Sequence, residues 1–207
     1  MMMQWSAFDD PVHDAQRHFR RVLAAMAEPG TLHVCDGPLP PPGAVIGSAM
    51  WATLLSLCDL DTQVWVAPCL AGQGLCEALT FHTGARFTPV ADKAHFAVVT
   101  PDVLMDPALM FGEGCEAYPD RSTTLIVALE RLDDDGNWQL SGPGIAEHRR
   151  LDVGEAIPLM ARLTINPRRF PLGLDAVLTC GERLAAIPRS TRIVSLSTRE
   201  AGACMSQ

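Results

Sequence analysis

The stretch QVWVAPCLAGQGLCEALTFHTGARFTPVADKAHFAVVT (residues 63–100) decides the fold class. In Gln63–Ala67, Val64 and Val66 alternate against Trp65, which is the two-residue period of a strand. Gly72–His82 reads as a helix, and Thr83-Gly84 closes it because glycine enters the left-handed region at little cost. Ala94–Thr100 is a second apolar strand. Strand, helix and strand in succession predict an α/β arrangement.

Reading outward toward the N-terminus, Ala44–Leu57 is a helix apolar on nearly every face, so it should be buried. The four prolines of Asp36–Gly43 make a stiff connector, and Thr31–Val34 a short strand. Before these, Asp10 caps a helix with Pro11 at its first position, and Glu28-Pro29-Gly30 ends it. Phe8, Val12, Ala15, Phe19, Val22 and Met26 form one apolar stripe along that helix, read as a core face, with service to a partner subunit as the alternative.

Toward the C-terminus, a turn rich in Pro and Asp after Thr100 leads into a short helix through Met110. Thr123–Leu129 and Trp138–Ser141 read as a hairpin across Asp133–Asn137, whose Asp-Gly pair favours a tight turn. Three adjacent aspartates there could hold a cation, but a solvated turn explains them as well. Glu155–Ile165 is a further helix, and Leu174–Thr179 and Thr191–Leu196 are late strands. The expectation is one α/β domain over residues 1–196, a mixed central sheet flanked by helices, and a loose tail over 197–207.

Composition narrows the function. The chain has 207 residues, 48% apolar and 19% charged, which is ample material for a core. A net charge of −8 argues against nucleic-acid binding, which needs a basic face. No apolar run reaches the ~20 residues of a membrane span, and Met1–Asp10 lacks a secretory pattern, so a cytoplasmic location is expected. Seven cysteines with no C-x-x-C pair read mostly as small buried hydrophobes in a reducing compartment, not as a zinc, disulfide or iron–sulfur framework. The basic residues are fifteen arginines and a single lysine, Lys93, followed by Ala94 with no glycine run before it, so a P-loop is excluded. The histidines lack the H-x-x-x-H spacing of a metal helix, and no metal is expected.

Several short motifs occur in order: Phe19-Arg-Arg with Ala25-Met-Ala-Glu-Pro-Gly30, Phe81-His-Thr-Gly-Ala85, Leu140-Ser-Gly-Pro-Gly-Ile145, Phe170-Pro-Leu-Gly-Leu-Asp175 and Ile187-Pro-Arg-Ser-Thr191. Together they resemble the PhnH family, a component of the bacterial carbon–phosphorus lyase core complex, over nearly the whole chain. The resemblance implies a fold like that of pyridoxal-phosphate-dependent transferases without the cofactor. It also implies a homodimer that joins subunits G, I and J, and a part in attaching an alkylphosphonate to the ribose of a purine nucleoside triphosphate. Radical cleavage of the carbon–phosphorus bond would belong to the last of these partners, J, and no catalytic residue is implied here. The residues agree on the cofactor: Lys93, in a polar turn, is the sole side-chain amine available for a Schiff base.

Phosphonates and triphosphates are gripped by arginine forks, hydroxyls and backbone N–H groups. Arg189-Ser190-Thr191 beside Pro188 offers all three, as do His82-Thr83 with Arg86 and Arg121-Ser122-Thr123. Each group also reads as an arginine fastening a carbonyl or an ion pair, with hydroxyls closing a turn. His82 reads as a general base or as a helix cap, and Asp175 as a carboxylate that orients an arginine. Two functions therefore compete: a non-catalytic subunit that shapes an assembly, and a module with its own phosphonate or nucleotide pocket.

Overall fold

The computed structural model describes residues 5–72 and 74–196. Its helices are α1 (Pro11–Ala27), α2 (Ser48–Leu57), α3 (Leu75–Thr83) and α4 (Ile157–Leu163). The strands are β1 (His33–Val34), β2 (Gln63–Val66), β3 (Arg86–Phe87), β4 (Phe96–Val99), β5 (Glu113–Cys115) and β6 (Tyr118–Ser122). They continue with β7 (Thr124–Ala128), β8 (Asp133–Ser141), β9 (Arg149–Asp152), β10 (Asp175–Cys180), β11 (Arg183–Ile187) and β12 (Arg192–Ser195).

Seven strands form the central sheet in the order β1-β11-β10-β7-β4-β2-β3. From β10 to β3 every neighbouring pair is parallel, whereas β11 runs antiparallel to β10, and β1 antiparallel to β11. The sheet is therefore mixed, as expected, and each of its edges is a two-residue strand. The period of two sorts its side chains onto two faces. Ala97, Val99, Leu125, Val127, Ala176 and Leu178 pack against α4 and a second sheet, ordered β12-β8-β9, through Leu140, Leu151, Leu159 and Met160. Val64, Val98 and Ile126 point the other way, onto Trp51 and Leu54 of α2 and Leu75 and Leu79 of α3. Farther along that face, Val177, Leu184 and Ala186 meet Val22 and Ala25 of α1.

α1 begins where the sequence placed it: Asp10 accepts hydrogen bonds from the backbone N–H of Val12 and His13, with Pro11 in the first turn. Its buried side is His18, Val22 and Ala25, and Val12 and Phe19 of the expected core stripe are exposed. The apolar arc is wider than one contact needs, and the helix turns only one flank of it inward. His18 is 1% exposed. Thr53 donates to the Ala49 carbonyl at 2.7 Å, so its oxygen accepts from His18 Nε2 at 2.9 Å, and Nδ1 has no partner among the described residues. Burial, helped by the nearby Arg21 cation, pushes the imidazole from its ordinary 6.5 down to about 4.

A lowered pKa means that the unfolded chain binds the proton first as pH falls. The neutral histidine is therefore fully tolerated above pH 6.5, and stability is lost between 6.5 and about 4. The loss attributable to His18 is about 3 kcal/mol. Urea unfolding of wild type and His18→Gln at pH 7 and pH 4.5 checks this: the wild type should lose more on acidification. Equal losses would show that His18 does not titrate as described.

Three other expectations change. The hairpin of residues 123–141 does not form, because β7 is buried on both faces in the central sheet while β8 pairs with β9 and β12. Its Asp-Gly pair lies inside β8, where a Cβ on Gly136 would come within 2.3 Å of Asp152 Cα, so glycine serves close strand approach. The aspartates lie in a strand, not a turn, and remain largely exposed to solvent: Asp133 pairs with Arg131 and Arg183, and Asp135 with Arg150. Among the described cysteines only Cys35 and Cys58 are buried, with burial pushing their thiols up to about 11 and about 12. Cys69 and Cys115 are exposed, and Cys204 and the expected tail lie outside the described residues. Strands β5, β6, β9 and β11 went unread in the sequence, as did the two-residue β3.

Candidate functional site

Every residue singled out from the sequence for a ligand lies at the amino-terminal edge of the parallel strands. Asp175 opens β10, Arg121 and Ser122 end β6 one residue before β7, Arg86 opens β3, and Ile187 at the end of β11 pairs with Ala176. The fold joins two of the three groups. Arg189 reaches across to Asp175 with Nε, 3.2 Å from both carboxylate oxygens, while its backbone N–H donates to the same side chain at 2.8 Å. Nη2 donates to Ser122 Oγ and Asp175 Oδ2, and Nη1 to the carbonyls of Pro119 at 2.6 Å and Pro171 at 3.4 Å. Each guanidinium nitrogen is thus engaged by the chain itself, in a pair whose side chains are only 14% and 21% exposed.

The third group stays apart. β3 stands four strand positions from β10, about 19 Å at ~4.8 Å per strand. There Thr83 donates to the Leu79 carbonyl at 2.7 Å and accepts from Ala85 N–H at 3.1 Å, and Gly84 takes φ 75° as the helix end requires. His82 Nε2 lies 3.2 Å from the Trp5 carbonyl and its ring meets Trp51 edge-on, so it helps to close α3 against the N-terminal segment. Arg86 is exposed, Arg121 stacks over Tyr118 at 4.0 Å, and neither has a carboxylate partner among the described residues. Ser190 is half-buried, and Thr191 is buried with no partner for its hydroxyl among the described residues.

The glycine motifs serve the same edge. A Cβ on Gly144, whose φ is +80°, would lie 1.9 Å from the Ala27 carbonyl at the end of α1, and one on Gly142 would lie 3.1 Å from the Ser190 carbonyl. Leu140-Ser-Gly-Pro-Gly-Ile145 is therefore wedged between Ala-Glu-Pro-Gly30 and Pro-Arg-Ser-Thr191. Arg149 adds hydrogen bonds to the Glu28 and Pro29 carbonyls. In Phe170-Pro-Leu-Gly-Leu-Asp175 the buried Asn166 exchanges hydrogen bonds with both backbone groups of Leu174, at 2.8 and 3.0 Å. Four motifs thus meet as mutually locked loops.

A cavity opens at the opposite edge, which the sequence reading missed. After β2 the chain crosses with α3 over one face, and after β4 it crosses with Leu104 and Phe111 over the other. Connections that part in this way leave a crevice at the carboxyl ends of the strands. A cleft of about 210 Å³ lies there, lined among others by Thr100, Asp102, Glu130 and Glu155. A smaller one of about 110 Å³ adjoins through Val45, and Cys69 Sγ is 3.7 Å from Thr100 Oγ1. The carboxylates of Asp102, Glu130 and Glu155 have no cationic partner among the described residues, and no cation lines the larger cleft. That chemistry repels a triphosphate. Lys93 is exposed in the turn before β4, at the other edge. Among the described residues no group of three or more His, Cys, Asp or Glu could hold a metal, and no helix is long and apolar enough to cross a membrane.

The family model for the bacterial phosphonate metabolism protein (PhnH) matches residues 6–194. The chain belongs to this family. A member from Rhizobium meliloti (strain 1021), named as alpha-D-ribose 1-methylphosphonate 5-triphosphate synthase subunit PhnH, is 35% identical over 90% of this chain and 94% of its own. A Stutzerimonas stutzeri protein named as a putative C-P lyase subunit protein, HtxG, is 32% identical over 73% of this chain and 78% of its own. The PhnH match spans every motif described above, including the four locked at the amino edge.

Proposed function

We propose that this PhnH-family chain is a subunit of the carbon–phosphorus lyase core complex and acts without catalytic groups of its own. The complex makes a ribose 1-alkylphosphonate 5-triphosphate from ATP and an alkylphosphonate. The observation that carries the reading is the family match over residues 6–194, with a relative named as a synthase subunit. The non-catalytic part rests on geometry: Arg189, Asp175, Ser122, His82 and Thr83 spend their polar groups on the chain's own backbone and side chains. We place the protein in the cytoplasm as a homodimer beside subunits G, I and J. A likeness to pyridoxal-phosphate-dependent transferases belongs to the same proposal, without the cofactor, since Lys93 lies at the edge away from the crevice.

The second reading, a phosphonate or nucleotide site on this chain, draws on Arg121, which is exposed and free of carboxylates among the described residues, while Arg86 stands too far along the sheet to share it. Ser190 and the Thr191 hydroxyl would be its remaining donors. The two readings give different results with purified protein. The single chain should neither turn over methylphosphonate with ATP nor give binding heat with either. A reconstituted complex should form product and lose that activity when this chain is omitted. Turnover by the chain alone, or full activity without it, would overturn the first reading; saturable binding of either ligand that Arg121→Ala abolishes would establish the second.

A further inference from the structure

The two longest helices begin differently. At α1 the Asp10 carboxylate covers the first turn, whereas α2 starts from Gly47, with no side-chain cap and no acid in its first turn. Packing forbids a cap there: a Cβ on Gly47 would lie 2.3 Å from the Gly181 carbonyl oxygen, in the turn between β10 and β11. That oxygen accepts from Ala49 N–H at 3.0 Å and so covers one donor. The N–H groups of Ser48 and Met50 have no partner among the described residues, and neither has the Ser48 hydroxyl. Ser48 is only 8% exposed. The unpartnered side-chain atoms that are wholly enclosed belong to His18, His33 and Thr191, so the Ser48 hydroxyl keeps an opening. Ser48, Gly47, Gly181 and Glu182 line a groove of about 490 Å³ whose far wall is Leu39, Pro40 and Pro41. The groove lies at the carboxyl edge of the sheet, because Gly181 directly follows β10.

We propose that the start of α2 is a binding site for a small carboxylate with a single negative charge and an apolar body. Two backbone N–H groups and a hydroxyl stand at the positive end of the helix dipole, an arrangement that favours anions. Charge limits which anion. Glu182 lines the groove, none of the described residues lining it is a cation, and the chain carries −8, so every further negative charge on a ligand is repelled without compensation. A carboxylate brings one charge on two oxygens, which between them can accept from all three donors. Its apolar body then lies along the far wall, where Leu39 is 74% exposed and the prolines carry no N–H. The inference is independent of the subunit reading.

The test titrates the full-length protein, labelled with nitrogen-15, with hexanoate, hexanamide and inorganic phosphate at about pH 8, where phosphate is a dianion. Hexanoate should shift the Ser48, Ala49 and Met50 amide resonances saturably, with a dissociation constant of about 1–10 mM. Hexanamide and phosphate should bind about tenfold more weakly. Ser48→Ala should weaken hexanoate about fivefold through one lost hydrogen bond, and Glu182→Gln should tighten it about twofold by removing a like charge. Equal binding of the amide would mean apolar contact without anion recognition, and phosphate binding as tightly would mean no selection for a single charge. Unchanged affinity in Ser48→Ala would place the carboxylate elsewhere, and no saturable shift with hexanoate would mean that water alone meets the donors. Each of these results overturns the proposal and leaves the subunit reading intact. Should Ser48→Ala melt early, Glu182→Gln at its exposed position still decides, because an affinity that fails to rise there also overturns the site.

Discussion

Arg189→Ala should cost about 3 kcal/mol of folding stability, since removing one partner of a buried ion pair leaves the other charge uncompensated. For a chain of this size that is a fall in melting temperature of roughly 6–12 °C. Asp175 would be the uncompensated charge, and the carbonyls of Pro119 and Pro171 would lose their shared donor as well. Arg189→Lys should recover only part of the loss. Its single ammonium keeps the charge but cannot reach Asp175, Ser122 and two carbonyls as the guanidinium fork does. Thermal melting of both variants decides the matter. A change in Arg189→Ala within the scatter of ordinary surface substitutions would mean that the arginine is not the fastener of this edge.

Gly144→Ala is the second large expected effect. A non-glycine residue in the left-handed region costs about 1–2 kcal/mol, and here the new methyl would also overlap the Ala27 carbonyl oxygen at 1.9 Å. Backbone cannot rotate away as a side-chain tip would, so the loop or the end of α1 must shift, adding about 1–3 kcal/mol. Gly181→Ala is the matched control, because Gly181 has φ +57° but nothing within 4 Å of a methyl placed on it. Urea unfolding should show Gly144→Ala losing clearly more than Gly181→Ala. Equal losses would indicate that only the backbone angle matters and that the loop is not wedged against α1.

The central strands were readable because each is a short apolar run with a boundary of its own. β2, β4 and β10 fall within a residue or two of their expected spans, and the cap of α1 within none. What failed did so where a partner, not a period, makes the choice. Asp133–Asn137 has the composition of a tight turn, yet Arg183 and Arg131 pair with Asp133, Arg150 pairs with Asp135 and Gly136 lets β9 approach, so it becomes strand. Val12 and Phe19 share a helical period with the core, but a period cannot say which flank of a wide arc faces inward. For the site, sequence could name Arg189, Ser122 and Asp175 as polar residues in rigid loops. It could not show that they face one another, because Arg189 and Ser122 are 67 positions apart along the chain. The crevice at the opposite edge left no motif, since its walls come from the ends of separate strands.

The two-residue strands that finish the sheet also bear on what this chain offers to other extended chains. A sheet with long bare margins offers unpaired N–H and C=O groups to any other extended chain and seeds aggregates. Here β1 and β3 expose only a few such groups, and β3 carries the charge of Arg86 at its start. The margins of the central sheet thus give another extended chain little to pair with.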